Sequence, residues 1–301
     1  MNPSAALVKR NTKIFFKDKG MFLTSLITPM LLLVLYATFL SGIYRDNFTS
    51  AIPAGLIGDD LIDGFVAGQL CSSLLAVCCI TVAFNSNLLT VQDKISHARS
   101  DLMVTPVRGS AMAAGYFFST AIVTGIVCFT TLGASFIYIY ISGWYLSLSD
   151  ALLACLDVLL LTLFGTALAS CVNFFLSTQG QLSAVSAVIC SCYGFICGAY
   201  MPIASFSSRT LRNIISFLPG TYGTALIRNH LMGGVLRELG EQGFPEEAVR
   251  QIGDAVDCNI YFFENKVSVP AMYAVLGGTV ILLAAVYVMF NVISGKKAER
   301  N

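Results

Sequence analysis

Residues 21–41 read MFLTSLITPMLLLVLYATFLS, a run without a single charged side chain. A helix of about 20 apolar residues spans a hydrocarbon core of about 30 Å. Five further stretches are largely apolar, namely 65–91, 111–141, 151–176, 181–200 and 269–293. Backbone polar groups in lipid must be paired within the protein, and these runs lack the alternation of barrel strands, so we expect helices. The sequence predicts one all-α integral membrane domain over 1–301 with six transmembrane helices.

The composition of the chain also indicates a membrane protein. Hydrophobic residues make up 56% of the sequence and charged residues only 12%, and the mean hydropathy is +0.75. Soluble domains carry about 25% charged residues, so a soluble protein with six buried helices is a poor alternative. The net charge of +1 gives no electrostatic basis for binding nucleic acid. The lipid bilayer is therefore a predicted partner, and nucleic acid is not.

Lys and Arg residues in short loops predict the orientation of a membrane protein. Here they are concentrated in the N-terminal segment, in the loop 91–108 and in the C-terminal tail, whereas the loop near 142–150 has none. We therefore expect a multi-pass protein of the cell membrane with both termini in the cytoplasm. The segment 202–268 would then be external. We expect short re-entrant helices over 203–232, between spans five and six, and a small helix-and-loop cap over 233–266.

The N-terminal residues 5–19 have an amphipathic pattern. Lys9, Lys13 and Lys17 recur every four residues and share one helical face. The other face carries most of the apolar side chains, which are Leu7, Val8, Ile14, Phe15 and Phe16. This pattern predicts an interfacial helix whose basic face meets anionic lipid headgroups. The alternative is a charged flank that only orients the first span.

The loop 91–108 reads VQDKISHARSDLMVTPVR and is the most specific feature of the chain. Its charged side chains predict a short helix, and Pro106 should end that helix because proline restricts the residue before it. A charged helix between two spans suits the docking of a soluble partner. The alternative is a solvated loop that happens to be charged.

Signatures of covalent chemistry are missing from the sequence. The chain has no G-x-x-x-x-G-K-[ST] phosphate loop, no G-x-S-x-G elbow and no H-E-x-x-H motif. Its two histidines, His97 and His230, are predicted on opposite sides of the membrane. We therefore predict no catalytic residues, no metal ligands and no enzymatic activity on this chain.

One acidic residue, Asp157, lies inside a predicted span, within ALLACLDVLLL at 151–161. A carboxylate at that depth is costly and is a candidate functional site by default. We consider Asp157 a candidate residue of a substrate path. The structural alternatives are that it faces a subunit contact, is protonated, or reaches polar groups near the interface.

Several short motifs follow one another in an informative order. Asp93 and Thr105-Pro106-Val107 stand in the loop, and GAYMP at 198–202, IISFLP at 214–219 and ALIR at 225–228 follow the fifth span. With six spans and an amphipathic N-terminal helix, this order resembles the type-2 ABC export permease family over nearly the whole chain. The resemblance implies a permease subunit that pairs with a second permease, identical or different, and with two ATPase subunits. ATP and Mg²⁺ would be bound by the ATPase, so no cofactor is expected on this chain.

The resemblance also implies roles for individual residues. The residues that would couple the permease to the ATPase are Asp93, Lys94, His97, Arg99, Asp101, Thr105 and Pro106. The residues that would close an external gate are Gly198, Tyr200, Pro202, Pro219 and Arg228.

The cargo is predicted only as a chemical class. Spans rich in Leu, Val, Ile, Phe, Ala and Cys favour export of an amphiphilic or hydrophobic molecule, such as a drug, a lipid-like molecule or a peptide, out of the cytoplasm. Export of a glycan, a lipid-linked product or an ion is the alternative within the same class. A channel or secondary transporter that does not use ATP is the alternative from another class.

Overall fold

Helices account for nearly all of the chain in the computed structural model, which describes residues 3–50, 57–104, 107–263 and 265–298. The first part of the chain contains α1 (Pro3–Lys17), α2 (Lys19–Leu35), a π-helical turn (Tyr36–Leu40), α3 (Ser41–Ser50), α4 (Asp59–Ser86), α5 (Leu88–Ile95), α6 (Ala98–Val104) and α7 (Gly109–Ser142). The second part contains α8 (Leu148–Phe174), α9 (Gln179–Ile196), a 3₁₀ turn (Ile203–Ser205), α10 (Arg209–Ser216), α11 (Pro219–Glu241), α12 (Glu246–Ala255), β1 (Tyr261–Phe262), β2 (Asn265–Lys266) and α13 (Val269–Ala298).

Helix α4 forms the centre of the bundle. It packs against α2, α7, α8, α9 and α11. The most apolar 18 residues of the stretch Asp59–Ile95 are 100% buried within the protein. Small residues allow this close packing. At Gly165 of α8, a Cβ atom would lie 2.7 Å from the carbonyl oxygen of Cys79, so the two backbones touch there. The core of the protein is thus built around a helix that meets almost no lipid.

Four helical stretches among the described residues are long and apolar enough to cross a membrane. They are Asp59–Ile95, Gly109–Ser142, Leu148–Phe174 and Val269–Ser294. They coincide with the predicted spans at 65–91, 111–141, 151–176 and 269–293. The remaining two predicted spans, 21–41 and 181–200, are also helical, as α2 with its π-helical turn and as α9. The count of six spans remains a prediction.

Helix α1 lies along α7 with its apolar face inward. Leu7, Asn11 and Phe15, spaced four residues apart, are buried, whereas the three lysines predicted on the opposite face are exposed. Gly115 allows this contact, because a Cβ atom there would lie 2.7 Å from the Cβ atom of Leu7. The N-terminal segment is therefore helical over Pro3–Lys17 with its lysines exposed, and an interfacial helix at the membrane surface remains a prediction.

The prediction of a single short helix in the loop 91–108 is wrong. The chain forms α5, which continues from α4 after Asn87, and then a separate α6. The break lies at His97, whose φ of 61° is left-handed and therefore interrupts a right-handed helix. The predicted helix end at Thr105 and Pro106 lies outside the described residues.

The segment 202–268 differs from its prediction in two ways. Helix α11 starts at Pro219 and runs for 23 residues across the predicted boundary at 232, so it is not short. It packs against α4, α8 and α13, and its glycines permit close contact: a Cβ atom at Gly223 would lie 2.5 Å from Cδ1 of Leu161 in α8. A Cβ atom at Gly234 would lie 2.0 Å from the carbonyl oxygen of Tyr145, in the loop between α7 and α8. Strands β1 and β2 pair antiparallel, with Tyr261 opposite Lys266, and are an exception to the all-α prediction among the described residues. Helix α12 follows Pro245 and lies within the region predicted as a helix-and-loop cap.

Candidate functional site

Asp93, the first predicted coupling residue, lies inside the protein and joins three helices. Only 5% of the residue is exposed, and its carboxylate accepts two hydrogen bonds from the Arg10 guanidinium of α1, at 2.7 and 3.2 Å. The Tyr116 hydroxyl of α7 donates a third, at 2.6 Å. The hydrogen bond to Asp93 raises the pKa of Arg10 above its usual value. Bidentate, charge-assisted pairs of this kind are among the stronger polar contacts in proteins.

Two more of the predicted coupling residues tie the loop to other helices. The Lys94 ammonium donates to backbone carbonyls at the end of α8, including those of Asn173 and Leu176, each at 3.1 Å. A cation at this position satisfies carbonyls that have no partner within the helix and interacts favourably with the negative end of its dipole. The Arg99 guanidinium donates to Oδ1 of Asn291 in α13 at 3.0 Å. The loop is therefore fastened to α1, α7, α8 and α13.

The remaining described coupling residues form the tip of the loop. His97 and Asp101 are exposed, and Ile95 beside them is 41% exposed. Thr105 and Pro106 lie outside the described residues. The predicted set thus divides into three residues that face the bundle and two that face away from it.

A polar cluster that the sequence did not indicate lies just inside this loop. The Asn87 amide donates to Oγ1 of Thr120 at 3.1 Å and to Oγ of Ser170 at 3.2 Å, and its Oδ1 accepts from Nδ2 of Asn173 at 3.0 Å. These hydrogen bonds join α4, α7 and α8 where α4 passes into α5. The partners of Asn87 lie 33 to 86 positions away in the sequence, so no local pattern connects them.

At the other end of the bundle, the predicted gate residue Arg228 is fully buried, with 0% exposure. Its guanidinium donates to the carbonyl oxygen of Gly198 at 2.9 Å and to Oγ of Ser73 at 3.1 Å, and it lies 3.5 Å from Oδ2 of Asp257. Gly198 has a φ of +72°, which glycine adopts easily, and this conformation is part of the turn that presents the carbonyl to Arg228.

Asp257 is a member of this polar cluster that the sequence analysis did not single out. Its carboxylate accepts hydrogen bonds from the backbone N–H groups of Ile203, at 2.5 Å, and Ala204, at 3.3 Å. Burial raises the pKa of Asp257, and the charge of Arg228 and the two amides oppose that rise. The cap segment is thus joined through one carboxylate to the 3₁₀ turn and to α11. A lone aspartate after α12 gave no sequence signal of this role.

The other predicted gate residues are Tyr200, Pro202 and Pro219. Pro202 precedes the 3₁₀ turn, and Pro219 begins α11. The ring of Tyr200 lies against the Gly194 backbone and against Phe195, with a centroid distance of 5.1 Å to the latter. The structure therefore brings Gly198 and Arg228 together and places Tyr200 elsewhere.

Tyr200 lines a cavity of about 290 Å³. Ser73, the hydroxyl that accepts from Arg228, is also on its wall, so the cavity and the gate cluster are adjacent. The full lining is Leu32, Tyr36, Leu40, Tyr44, Leu70, Ser73, Phe195, Ala199 and Tyr200. A mostly apolar wall with a few hydroxyl groups is typical of sites for organic ligands.

Asp157 is 0% exposed and has two polar partners. Nδ1 of His230 in α11 lies 2.5 Å from its Oδ2, and the Tyr273 hydroxyl of α13 donates to its Oδ1. The carboxylate therefore faces protein, and it joins α8 to α11 and α13. The described lining of the 290 Å³ cavity does not include Asp157. Neither partner was found from the sequence, because each lies on a different helix.

The fold defines the class of protein: apolar helices arranged around a buried central helix make a multi-pass membrane protein. A family model described as ABC-2 type transporter matches residues 4–232. The chain therefore belongs to the ABC-2 type transporter family, and it is a membrane subunit of the permease type. Members of this family are generally non-catalytic and typically work with ABC ATPases. Among curated proteins, none was found to match the chain significantly.

Proposed function

We propose that this chain is the transmembrane permease subunit of an ATP-driven exporter and that a separate ATPase chain docks at the tip of the loop 91–108. The observation that carries the proposal is the division of this loop. Its inward side chains, Asp93, Lys94 and Arg99, are fastened to four helices, while His97 and Asp101 face away from the bundle. When the ATPase displaces the tip of such a segment, the inward contacts transmit that displacement to the four helices.

The proposal includes a specific topology. Six spans place both termini in the cytoplasm of a protein in the cell membrane, with α1 in the inner headgroup layer and the segment 202–268 outside. The excess of Lys and Arg near both termini and in the loop supports this orientation. The three exposed lysines of α1 support its contact with anionic lipid.

In the proposed cycle, two ATPase subunits bind ATP and Mg²⁺, and this chain needs no cofactor of its own. Movement of the ATPase displaces the loop, and the Asp93 contacts carry the displacement to α1 and α7. Lys94 carries it to α8 and Arg99 to α13. Charge-assisted hydrogen bonds suit this task because their geometry is specific as well as strong.

At the opposite end, we propose that Gly198, Tyr200, Pro202, Pro219 and Arg228 form the external gate, with Asp257 as an added member. Opening would separate α11 from the turn at Gly198, and the buried contacts of Arg228 would then be exchanged for water. Asp157 remains a candidate residue of the cargo path. Its carboxylate would become accessible only if α11 moved and took His230 with it.

The proposed cargo is an amphiphilic or hydrophobic molecule. The apolar wall of the 290 Å³ cavity, with its few hydroxyl groups, supports this class, and a second permease subunit would complete the path. One observation favours a second candidate, a glycan or lipid-linked sugar: four of the nine lining residues are aromatic, namely Tyr36, Tyr44, Phe195 and Tyr200. Aromatic walls are the lining that we expect of a glycan path.

The docking proposal can be tested on the exposed tip. Asp101→Ala combined with His97→Ala should reduce co-purification of the ATPase severalfold and should lower cargo-stimulated ATP hydrolysis, without changing the melting temperature of the permease. Glu247→Gln, an exposed acid on α12, is the matched control and should change neither readout. Full transport by the purified permease without any ATPase would refute the proposal.

Amine cross-linking in native membranes tests the second permease subunit. A covalent pair of permease chains should form in membranes that contain active complexes. Strictly monomeric permease in those complexes would rule out a path shared between two subunits.

A further inference from the structure

A second cavity, of about 350 Å³, lies between α10, the 3₁₀ turn and the segment after α12. The proposed coupling loop, gate and cargo path assign no ligand to this cavity. Its wall contains two arginines, Arg209 and Arg212, and two aspartates, Asp254 and Asp257, together with amide, hydroxyl and aliphatic groups. The question is which of these charged groups a ligand would meet.

The arginines can serve a ligand. Arg209 and Arg212 are three residues apart in the first turn of α10, so they share one face of the helix, and both are exposed. Arg212 donates to the carbonyl oxygen of Phe206 at 3.3 Å, and a guanidinium carries five N–H donors in all. Planar guanidinium groups match the oxygens of phosphate and carboxylate groups. This side of the cavity therefore favours an oxyanion.

The aspartates are committed to the wall of the cavity. Asp254 accepts hydrogen bonds from Nδ2 of Asn259 at 2.7 Å and from the Tyr261 hydroxyl at 3.0 Å. Asp257 accepts from two backbone amides and lies beside the buried Arg228. Their charges are thus compensated within the protein. The arginines of α10 lie on the exposed part of the wall, where a ligand can reach them.

Exposed apolar side chains border the same helix. Leu211, Ile214 and Phe217 are 39%, 57% and 61% exposed, and they lie on or just beyond the face of α10 opposite its arginines. Phe217 packs edge-on against Phe262 at 5.0 Å and Phe263 at 5.8 Å, and Phe263 is 50% exposed. A helix with cations on one side and apolar groups on the other is typical of a membrane interface. The combination indicates a ligand with an anionic head and an apolar tail.

We propose that this cavity binds the phosphate group of an anionic glycerophospholipid from the leaflet at this end of the bundle, with its acyl chains over Ile214, Phe217 and Phe263. The site goes beyond the proposed function, since lipid could bind there without an ATPase or cargo. Ile203, Ala204 and Asp257 line the cavity and also take part in the Arg228 cluster. A bound lipid would therefore stabilise the cluster as well as occupy the cavity.

The test uses the purified full chain in nanodiscs of phosphatidylcholine, with phosphatidylglycerol added and bound lipid counted by native mass spectrometry. The double variant Arg209→Gln/Arg212→Gln should weaken phosphatidylglycerol binding by at least about tenfold. Arg250→Gln, an exposed arginine on α12 that is paired with Glu247 at 2.6 Å, should leave it unchanged. Equal binding by the wild-type protein and the double variant would overturn the proposal.

Two further arms keep the test decisive. Arg209→Lys/Arg212→Lys retains the charges and should recover part of the binding, which a merely misfolded site would not. Phe217→Ser should weaken binding of phosphatidylglycerol but not of inorganic phosphate, since only the lipid has chains that meet this ring. Binding of inorganic phosphate that depends on the arginines, without lipid binding, would overturn the lipid as the source. If Arg250→Gln lost as much phosphatidylglycerol binding as Arg209→Gln/Arg212→Gln, the lipid would be attracted by surface charge in general. That result would also overturn the site.

Discussion

An aspartate–arginine pair stands at each end of the bundle, and the two pairs are built differently. Arg10 and Asp93, at the loop end, make two hydrogen bonds of 2.7 and 3.2 Å, and 34% of the Arg10 side chain is exposed. Arg228 and Asp257, at the cap end, are joined by one contact of 3.5 Å, and the Arg228 side chain has 0% exposure. Nε of Arg228 has no hydrogen-bond partner among the described residues.

The difference shows how one chemical pair can serve two purposes. The loop-end pair keeps part of its hydration and has good geometry, so it can hold α1 against the loop at a small desolvation cost. The cap-end pair is cut off from water, where Coulomb attraction must offset a large desolvation penalty. An imperfectly satisfied buried charge gains hydration when it is released. We therefore propose that the loop-end pair is a lasting brace and that the cap-end pair is a contact that breaks during the proposed gating.

The strongest test of this comparison is Arg228→Met, which leaves Asp257 buried and unpaired. Removing one partner of a buried ion pair costs about 3–5 kcal/mol. We expect a correspondingly lower melting temperature of the purified protein in nanodiscs, and partial recovery in Arg228→Met/Asp257→Asn. Arg250→Met on the exposed face of α12 is the control and should melt as wild type does. If Arg228→Met also melted like the wild type, the cap-end pair would not be a buried charge that needs its partner.

Asp157 gives the next largest effect, because it is buried and is the hydrogen-bond partner of side chains on two other helices. Asp157→Leu leaves the buried His230 and the half-buried Tyr273 without that partner, and an unsatisfied buried group costs about 1–3 kcal/mol. The double variant Asp157→Leu/His230→Leu removes two of the three polar groups and should recover much of the loss in thermal unfolding.

Asp157→Asn separates a structural role from a functional one, since it keeps an acceptor of the same shape. A role in the cargo path predicts altered transport or cargo range with near-normal expression and ATPase binding. Wild-type transport by Asp157→Asn, together with an unstable Asp157→Leu, would assign the residue to packing alone.

The smallest effect on stability is expected for Asp93→Asn. The amide still accepts from Tyr116, but the charge that held Arg10 is lost from a partly hydrated pair, so we expect about 1 kcal/mol. Transport should nevertheless fall while the permease still inserts and binds its ATPase, because the loop loses its link to α1. Asp101→Ala is the matched comparison: it should weaken ATPase binding and leave the melting temperature alone. Equal losses of ATPase binding in both variants would contradict the division of the loop into a tip and a brace.

The interpretation of the sequence was most accurate where a single local property decides the structure. The predicted spans 111–141 and 269–293 lie within α7 and α13, because a long apolar run in lipid has no stable conformation other than a helix. It was less accurate for α11, whose sequence contains Gly, Thr, His and Arg and reads as partly polar. That helix is buried because other helices satisfy its polar groups. Hydropathy depends only on the residues of the segment itself, so it contains no information about those neighbouring helices.

The sequence by itself determined that the chain is a helical membrane protein, where most of its helices run, and which loop carries the charges. The tertiary structure alone decided that Asp93 faces inward while Asp101 faces out. It also decided that Arg228 meets Asp257 and that Asp157 meets His230 and Tyr273. The physical reason is that apolar run length and helical period are properties of one segment. A polar contact between helices depends on how several segments rotate and approach, and partners 29 to 116 residues apart leave no periodic trace.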